Sequence, residues 1–131
     1  MSGSNDLLAD PYVQAQPESL PFWQAAARGQ LVSRRCLSCA RVHWYPRAIC
    51  PFCHGATEWV PLSGRGTLYA FSTLQRARPP YTVAYVTLAE GPTMMTNLVD
   101  LGASAPTLGM PLRVVFRATE EGRAVPKFTA L

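Results

Sequence analysis

Two pairs of cysteines, each separated by two residues, constrain this chain more than any other feature. They are Cys36-Leu37-Ser38-Cys39 and, ten residues later, Cys50-Pro51-Phe52-Cys53. A gap of two residues folds the chain back as a knuckle, and two knuckles bring four thiolates tetrahedrally around one metal ion, with Zn–S distances of about 2.3 Å. Four sulfurs complete the coordination shell and leave no position for a reacting water, so the expected ion is a structural zinc. A core of ~30 residues is too small to hold itself together, whereas such a site contributes about 10–16 kcal/mol. Gly55, just after the second pair, is expected to let backbone amides approach the sulfurs. Iron in a rubredoxin-type site uses the same ligands and is the alternative metal. A redox-active pair of the thioredoxin kind needs a βαβ setting that the pattern lacks. The two histidines, His43 and His54, read as surface residues beside a filled site.

The 131 residues make one ordinary domain or two very small ones. With 48% hydrophobic and only 15% charged residues, the chain reads as folded, with a rather apolar exterior available to a partner. The net charge of +4 comes from scattered arginines and one lysine, Lys127, with no polybasic run, so charge alone does not imply nucleic acid. Arginine does suit phosphate groups. No stretch approaches the ~20 apolar residues needed to span a bilayer, and the start of the chain lacks the basic and apolar regions of a secretory signal. The expectation is a cytoplasmic protein with no membrane partner, where four cysteines are not spent on disulfides.

Along the chain, residues 1–17 read as a flexible arm and 18–29 as a short helix with Ser19 at its N-cap and Gly29 at its end. A helix of about two turns is marginal alone. Its Phe22 and Trp23 must therefore pack on this domain or on another protein, and they are the candidate partner-binding residues. Residues 30–63 form the ribbon, with strand-like pieces at 31–35, 43–45 and 58–62. Gly64 and Gly66 flank Arg65 as a flexible joint. Over 64–131 the apolar period changes to two, giving strands at 67–74, 82–88, 94–101, 112–118 and 125–129 separated by Pro and Gly turns. Five short strands left as an open sheet would expose two edges, and closing them as an OB-fold barrel removes both. The predicted class is all-β: an N-terminal short helix and zinc ribbon followed by a five-stranded OB-fold barrel.

No phosphate-binding glycine loop, nucleophile elbow or paired glycosidase carboxylates stand in the sequence, and cysteines committed to a metal are not nucleophiles. The chain reads as a binder or accessory subunit. Several residues carry a resemblance: Phe22 and Trp23; Gly29 and Leu31 leading to Arg35 and Cys36; Pro46 through Cys53; Trp59; and Ser63 through Thr67 opening the barrel. Pro80, Glu90-Gly91 and Gly109 before Leu112, Val114 and Phe116 continue it. From Pro17 on, the chain resembles the rubredoxin-like zinc ribbon joined to an OB-fold that accompanies thiolases and related acyl-CoA enzymes. That resemblance implies a thiolase-like, aldolase-like or hydratase-like partner subunit and a ligand, coenzyme A or acyl-CoA. Arg65, Arg76, Arg78 and Lys127, at strand ends or loops, are the candidates for its phosphates, while an apolar wall takes the pantetheine arm. The competing reading is a nucleic-acid binder stacking bases on Tyr69, Phe71, Tyr81 and Tyr85, although nothing in the sequence supplies a dense basic groove. A third is a structural adaptor with no small-molecule site.

Overall fold

The structure, a computed structural model, describes residues 7–131. Two short helices open it, α1 (Pro11–Ala15) and α2 (Leu20–Ala27), joined through a 3-10 turn at Pro17–Ser19. Asp10 caps α1, its carboxylate accepting the Tyr12 amide at 2.9 Å. Ser19 stands at the start of α2, but its hydroxyl does not cap the helix; it donates back to the Gln16 carbonyl at 2.6 Å. The flexible arm expected over residues 1–17 is therefore corrected from residue 7 onward, because Leu7 and Val13 are buried in the core. Residues 1–6 lie outside the described part.

Three strands follow as one antiparallel sheet in the order β2-β1-β3: β1 (Val32–Cys36), β2 (Val42–His43) and β3 (Thr57–Pro61). Five more, β4 (Arg65–Leu74), β5 (Tyr81–Leu88), β6 (Thr93–Leu98), β7 (Pro111–Ala118) and β8 (Ala124–Ala130), close into a barrel in the order β4-β5-β6-β8-β7. All neighbours are antiparallel except β6 and β8, which meet in parallel at the single pair Leu98 and Phe128. This is the OB-fold, as the alternation predicted. Along β5, Ala84, Val86 and Leu88 point inward and Tyr81, Val83 and Tyr85 outward, and β6 repeats the pattern with Met94, Thr96 and Leu98 inside.

The joint between ribbon and barrel is packed, not flexible. A Cβ on Gly66 would stand 2.7 Å from the Thr87 carbonyl oxygen and from a Val86 methyl. Gly64 adopts φ +77°, where a side chain is strained, and its carbonyl accepts the Val114 amide at 2.7 Å. The Leu62 amide donates to Leu31, and the Ser63 amide donates to the Glu90 carboxylate at 2.8 Å. One apolar core therefore runs through all three parts, from Leu7, Phe22 and Trp23 through Leu31 and Leu62 to Val86, Leu112 and Phe128.

The helices dock through a feature with no local sequence signature. Arg123, in the β7–β8 turn, donates to Asp10 at 2.8 Å with both side chains largely buried, and its guanidinium lies 4.5 Å over the Tyr12 ring and 5.0 Å over Trp23. Burial alone would raise the Asp10 carboxyl. The hydrogen bond from Arg123, the Tyr12 amide and the Arg123 charge outweigh it and hold the group below the usual carboxylate range. Because the folded value is depressed, the stabilisation is present above the unfolded value of about 3.9 and is lost as pH falls through the lower folded value. Denaturant midpoints of the native chain and Asp10→Asn are expected to differ at neutral pH and to draw together as pH falls through the depressed folded value. A gap that stays constant across the acid range would remove the ion pair from the stability of this protein.

Candidate metal centre and binding clefts

Cys36 ends β1 and Cys39 follows in the turn to β2; Cys50 and Cys53 lie in the loop before β3. The backbone folds each pair the same way. The Ala40 amide donates to the Cys36 carbonyl at 3.0 Å and the His54 amide to the Cys50 carbonyl at 2.9 Å, with Ala40 and His54 both left-handed at φ 65° and 66°. The left-handed positions thus fall on Ala40 and His54 and not on Gly55. Gly55 matters by its smallness: a Cβ there would stand 2.9 Å from the Ser38 hydroxyl and 3.2 Å from the Cys36 sulfur.

The four sulfurs lie within 4.8 Å of one another, with Cys36 and Cys53 at 3.3 Å and Cys39 and Cys50 at 3.7 Å. Tetrahedral thiolates at the Zn–S distance would be about 3.8 Å apart, so the set fits a four-coordinate ion. Amides of Ser38 and Cys39 donate to Cys36, each at 3.3 Å, and that of Phe52 to Cys50 at 3.4 Å. The Cys39 amide leads in drawing the Cys36 thiol down to about 6. Cys53 is favoured as a thiolate by the Gly55 amide, yet Cys36 beside it, burial and the other two sulfurs push it up to about 11. All four sulfurs can be thiolates together at this spacing only with a cation between them. Cys36 and Cys50 are buried while Cys39 and Cys53 face solvent.

His43 departs from its expected surface position. It is buried, its Nε2 accepts the Arg47 amide at 3.0 Å, and desolvation lowers its pKa. It serves as internal scaffolding for the loop that carries Cys50. His54 is exposed, as expected.

Phe22 and Trp23 also require a correction. They are 2% and 6% exposed and sit in this domain's own core, so neither is a free partner-binding surface. Phe22 packs edge-on against Trp23 at 4.8 Å and Trp44 at 5.6 Å, with Tyr45 at 5.9 Å. This aromatic hub forms one wall of a cleft of about 550 Å³, which faces Met94, Met95 and Val125 of the barrel and ends at Asn97 and Lys127. It opens where β6 and β8 share only one residue pair. Lys127 is half-buried, its ammonium 2.6 Å from the Asn97 side-chain oxygen, and burial holds its pKa below the usual lysine value. It also lines a smaller hollow with Pro80, Tyr81 and Asp100. Arg65, Arg76 and Arg78 are exposed and line neither space; Arg65 stands at the opposite end of β4 from the loop bearing Arg76 and Arg78. A further cleft of about 570 Å³, between Arg41, Trp44, Arg47 and Phe52 of the ribbon and Glu90 to Thr93 of the barrel, was not anticipated from sequence. No helix among the described residues is long and apolar enough to cross a membrane.

Comparison with known proteins agrees with this division. Residues 23–60 match the family model of the ChsH2 rubredoxin-like zinc ribbon domain, and 59–117 that of the ChsH2 C-terminal OB-fold domain. A DUF35 domain-containing scaffold protein of Methanocaldococcus jannaschii is 33% identical over 99 residues, covering 70% of both chains. The chain belongs to the DUF35 family. A second DUF35 scaffold protein, from Methanothermobacter thermautotrophicus, is 31% identical over 79% of this chain and 85% of its own length. A probable enoyl-CoA hydratase alpha subunit of Thermomonospora curvata is 31% identical over 82% of this chain, which spans only 36% of that longer protein. Among solved structures, the DUF35 fold superposes on a chain of the Ltp2-ChsH2(DUF35) aldolase with TM-score 0.72 and 28% identity, covering 86% of this chain and 93% of that one. A DUF35 protein of unknown function from Sulfolobus solfataricus gives TM-score 0.67 at 10% identity, over 88% and 87% of the two chains, a likeness of fold alone.

Proposed function

We propose that this chain is a non-catalytic accessory subunit that holds one structural zinc at Cys36, Cys39, Cys50 and Cys53. In this reading it binds the coenzyme A portion of an acyl-CoA and works in complex with a thiolase-like, aldolase-like or hydratase-like enzyme. The zinc, when bound, supplies no reacting position; it clamps the ribbon so that Trp44 and Tyr45 stay in the aromatic hub. The observation that carries the ligand assignment is the aromatic cleft ending on Lys127, a half-buried ammonium that meets an amide oxygen and, among the described residues, no carboxylate. Its volume of about 550 Å³ and its walls suit a pantetheine arm, and the cation at its end suits a phosphate. The aldolase and hydratase named among its relatives support the choice of partner.

Calorimetry with coenzyme A and with pantetheine tests this reading. Losing a charge-assisted hydrogen bond is worth about 1.5–3 kcal/mol, so Lys127→Gln is expected to weaken coenzyme A binding roughly 10- to 100-fold while leaving pantetheine binding and thermal stability unchanged. Undiminished coenzyme A affinity in Lys127→Gln would move the ligand elsewhere. No affinity in either the free or the partnered chain would leave only an adaptor.

A further inference from the structure

The barrel is closed, yet one of its strands is left with an open edge. β7 pairs with β4 only at residues 65–67, and the last bonds on that side join Leu68 to Gly109 and Met110. From Tyr69 to Leu74, β4 is paired only with β5, and its other edge meets no strand among the described residues. That edge reads Tyr-Ala-Phe-Ser-Thr-Leu, without a charge, proline or glycine. Proteins ordinarily blunt an exposed edge with such residues, because an uncharged one of high β-propensity pairs with whatever strand it meets. Here the only such device is the bulge between Leu68 and Ala70, which turns Tyr69 outward at 69% exposure. The sheet surface beside this edge is equally bare. The register sets Ala70 across from Tyr85 and Tyr85 across from Met95, which is 61% exposed, and it pairs Leu74 with Tyr81.

The charge at the end of the edge indicates what covers it. Arg76 and Arg78 follow Leu74 in the loop to β5, and the ion pairs among the described residues use other arginines. Arg78 reaches only carbonyls of its own loop. A second copy of the chain fits poorly. Antiparallel pairing of two β4 edges about Phe71 and Ser72 sets Arg78 of one copy opposite Arg65 of the other, where Arg113 already lies across in β7. Three guanidinia would meet at each end, with no carboxylate on the edge between them. A nucleic-acid strand would use the arginines and rings but not the backbone donors and acceptors that distinguish this edge.

We infer that the β4 edge, residues 69–74, is a docking strand for an extended segment of the partner enzyme. That segment adds to the sheet and carries carboxylates where it passes Arg76 and Arg78. The inference rests on the partnership proposed above and assigns it a surface separate from the Lys127 cleft.

The test is amide hydrogen exchange on the full chain, alone and in its complex with the enzyme that co-purifies with it from the native host. Amides within 69–74 are expected to slow at least 100-fold in the complex. Tyr69→Lys and the pair Arg76→Glu with Arg78→Glu are each expected to weaken the complex tenfold or more while the melting temperature and coenzyme A affinity of the free chain stay unchanged. A complex that forms with these amides exchanging as in the free chain would overturn the docking strand and leave the partnership standing. Failure to form any complex would overturn both. Protection that grows with the concentration of the chain alone, alongside a dimer in sedimentation, would give the edge to a second copy. Protection by single-stranded oligonucleotide, weakening steeply with salt, would give it to nucleic acid.

Discussion

Purified chain is expected to carry one zinc ion, and Cys50→Ser or a strong chelator to remove it together with the order of the ribbon. The magnitudes make this the largest single effect available. A structural zinc contributes about 10–16 kcal/mol, as much as the whole net stability of an ordinary domain, about 5–15 kcal/mol. The damage should spread beyond the ribbon, because Leu31, Trp44 and Trp59 share a core with the helices and the barrel. Near-UV circular dichroism from the tryptophans should therefore collapse, while the ladder of β4, β5, β7 and β8 retains far-UV signal. Metal analysis distinguishes the competing ion, since thiolate-bound iron colours the protein and zinc does not. A metal-free chain with full near-UV signal would refute the assignment.

Phe22→Ala is expected to lower stability by about 3–5 kcal/mol, since it removes a fully buried ring and leaves a cavity among aromatic neighbours that cannot collapse. For a domain of this size that corresponds to a thermal midpoint lower by about 10–20 °C. Trp23→Ala should act similarly and also strip one aromatic face from Arg123. Both variants should lose partner binding only in proportion to the fraction unfolded. Full stability with lost binding would instead return these residues to an intermolecular role.

What the sequence disclosed and what it withheld divide along physical lines. The cysteine knuckles are local, set by a two-residue spacing, and the barrel strands show an alternation that any residue's near neighbours reveal. Both were legible. The contact between Asp10 and Arg123 spans 113 residues, and neither residue has a neighbour that announces the other. Without it, the segment around Leu7 and Val13 reads as an arm. Phe22 and Trp23 were recognised as needing a surface, but an eight-residue helix with four buried side chains does not say whose surface that is. At Gly64 and Gly66 the sequence suggested a flexible joint, whereas the left-handed backbone of Gly64 and the close approach of Val114 to it and of Thr87 to Gly66 make the joint a packed one. Among the ligand candidates, exposure separated the arginines from Lys127, a distinction that residue type cannot make.

The seam between β6 and β8, one residue pair wide and flanked by α2, bears on the order in which the molecule can mature during translation. Phe22 and Trp23 leave the ribosome long before Phe128, the residue that completes the wall against which their helix lies. Until that last strand arrives, the nascent polypeptide carries its most adhesive side chains partly uncovered, and the ribbon, able to capture metal as soon as Cys53 emerges, brings Trp44 and Tyr45 against Phe22 to shelter them in the interval.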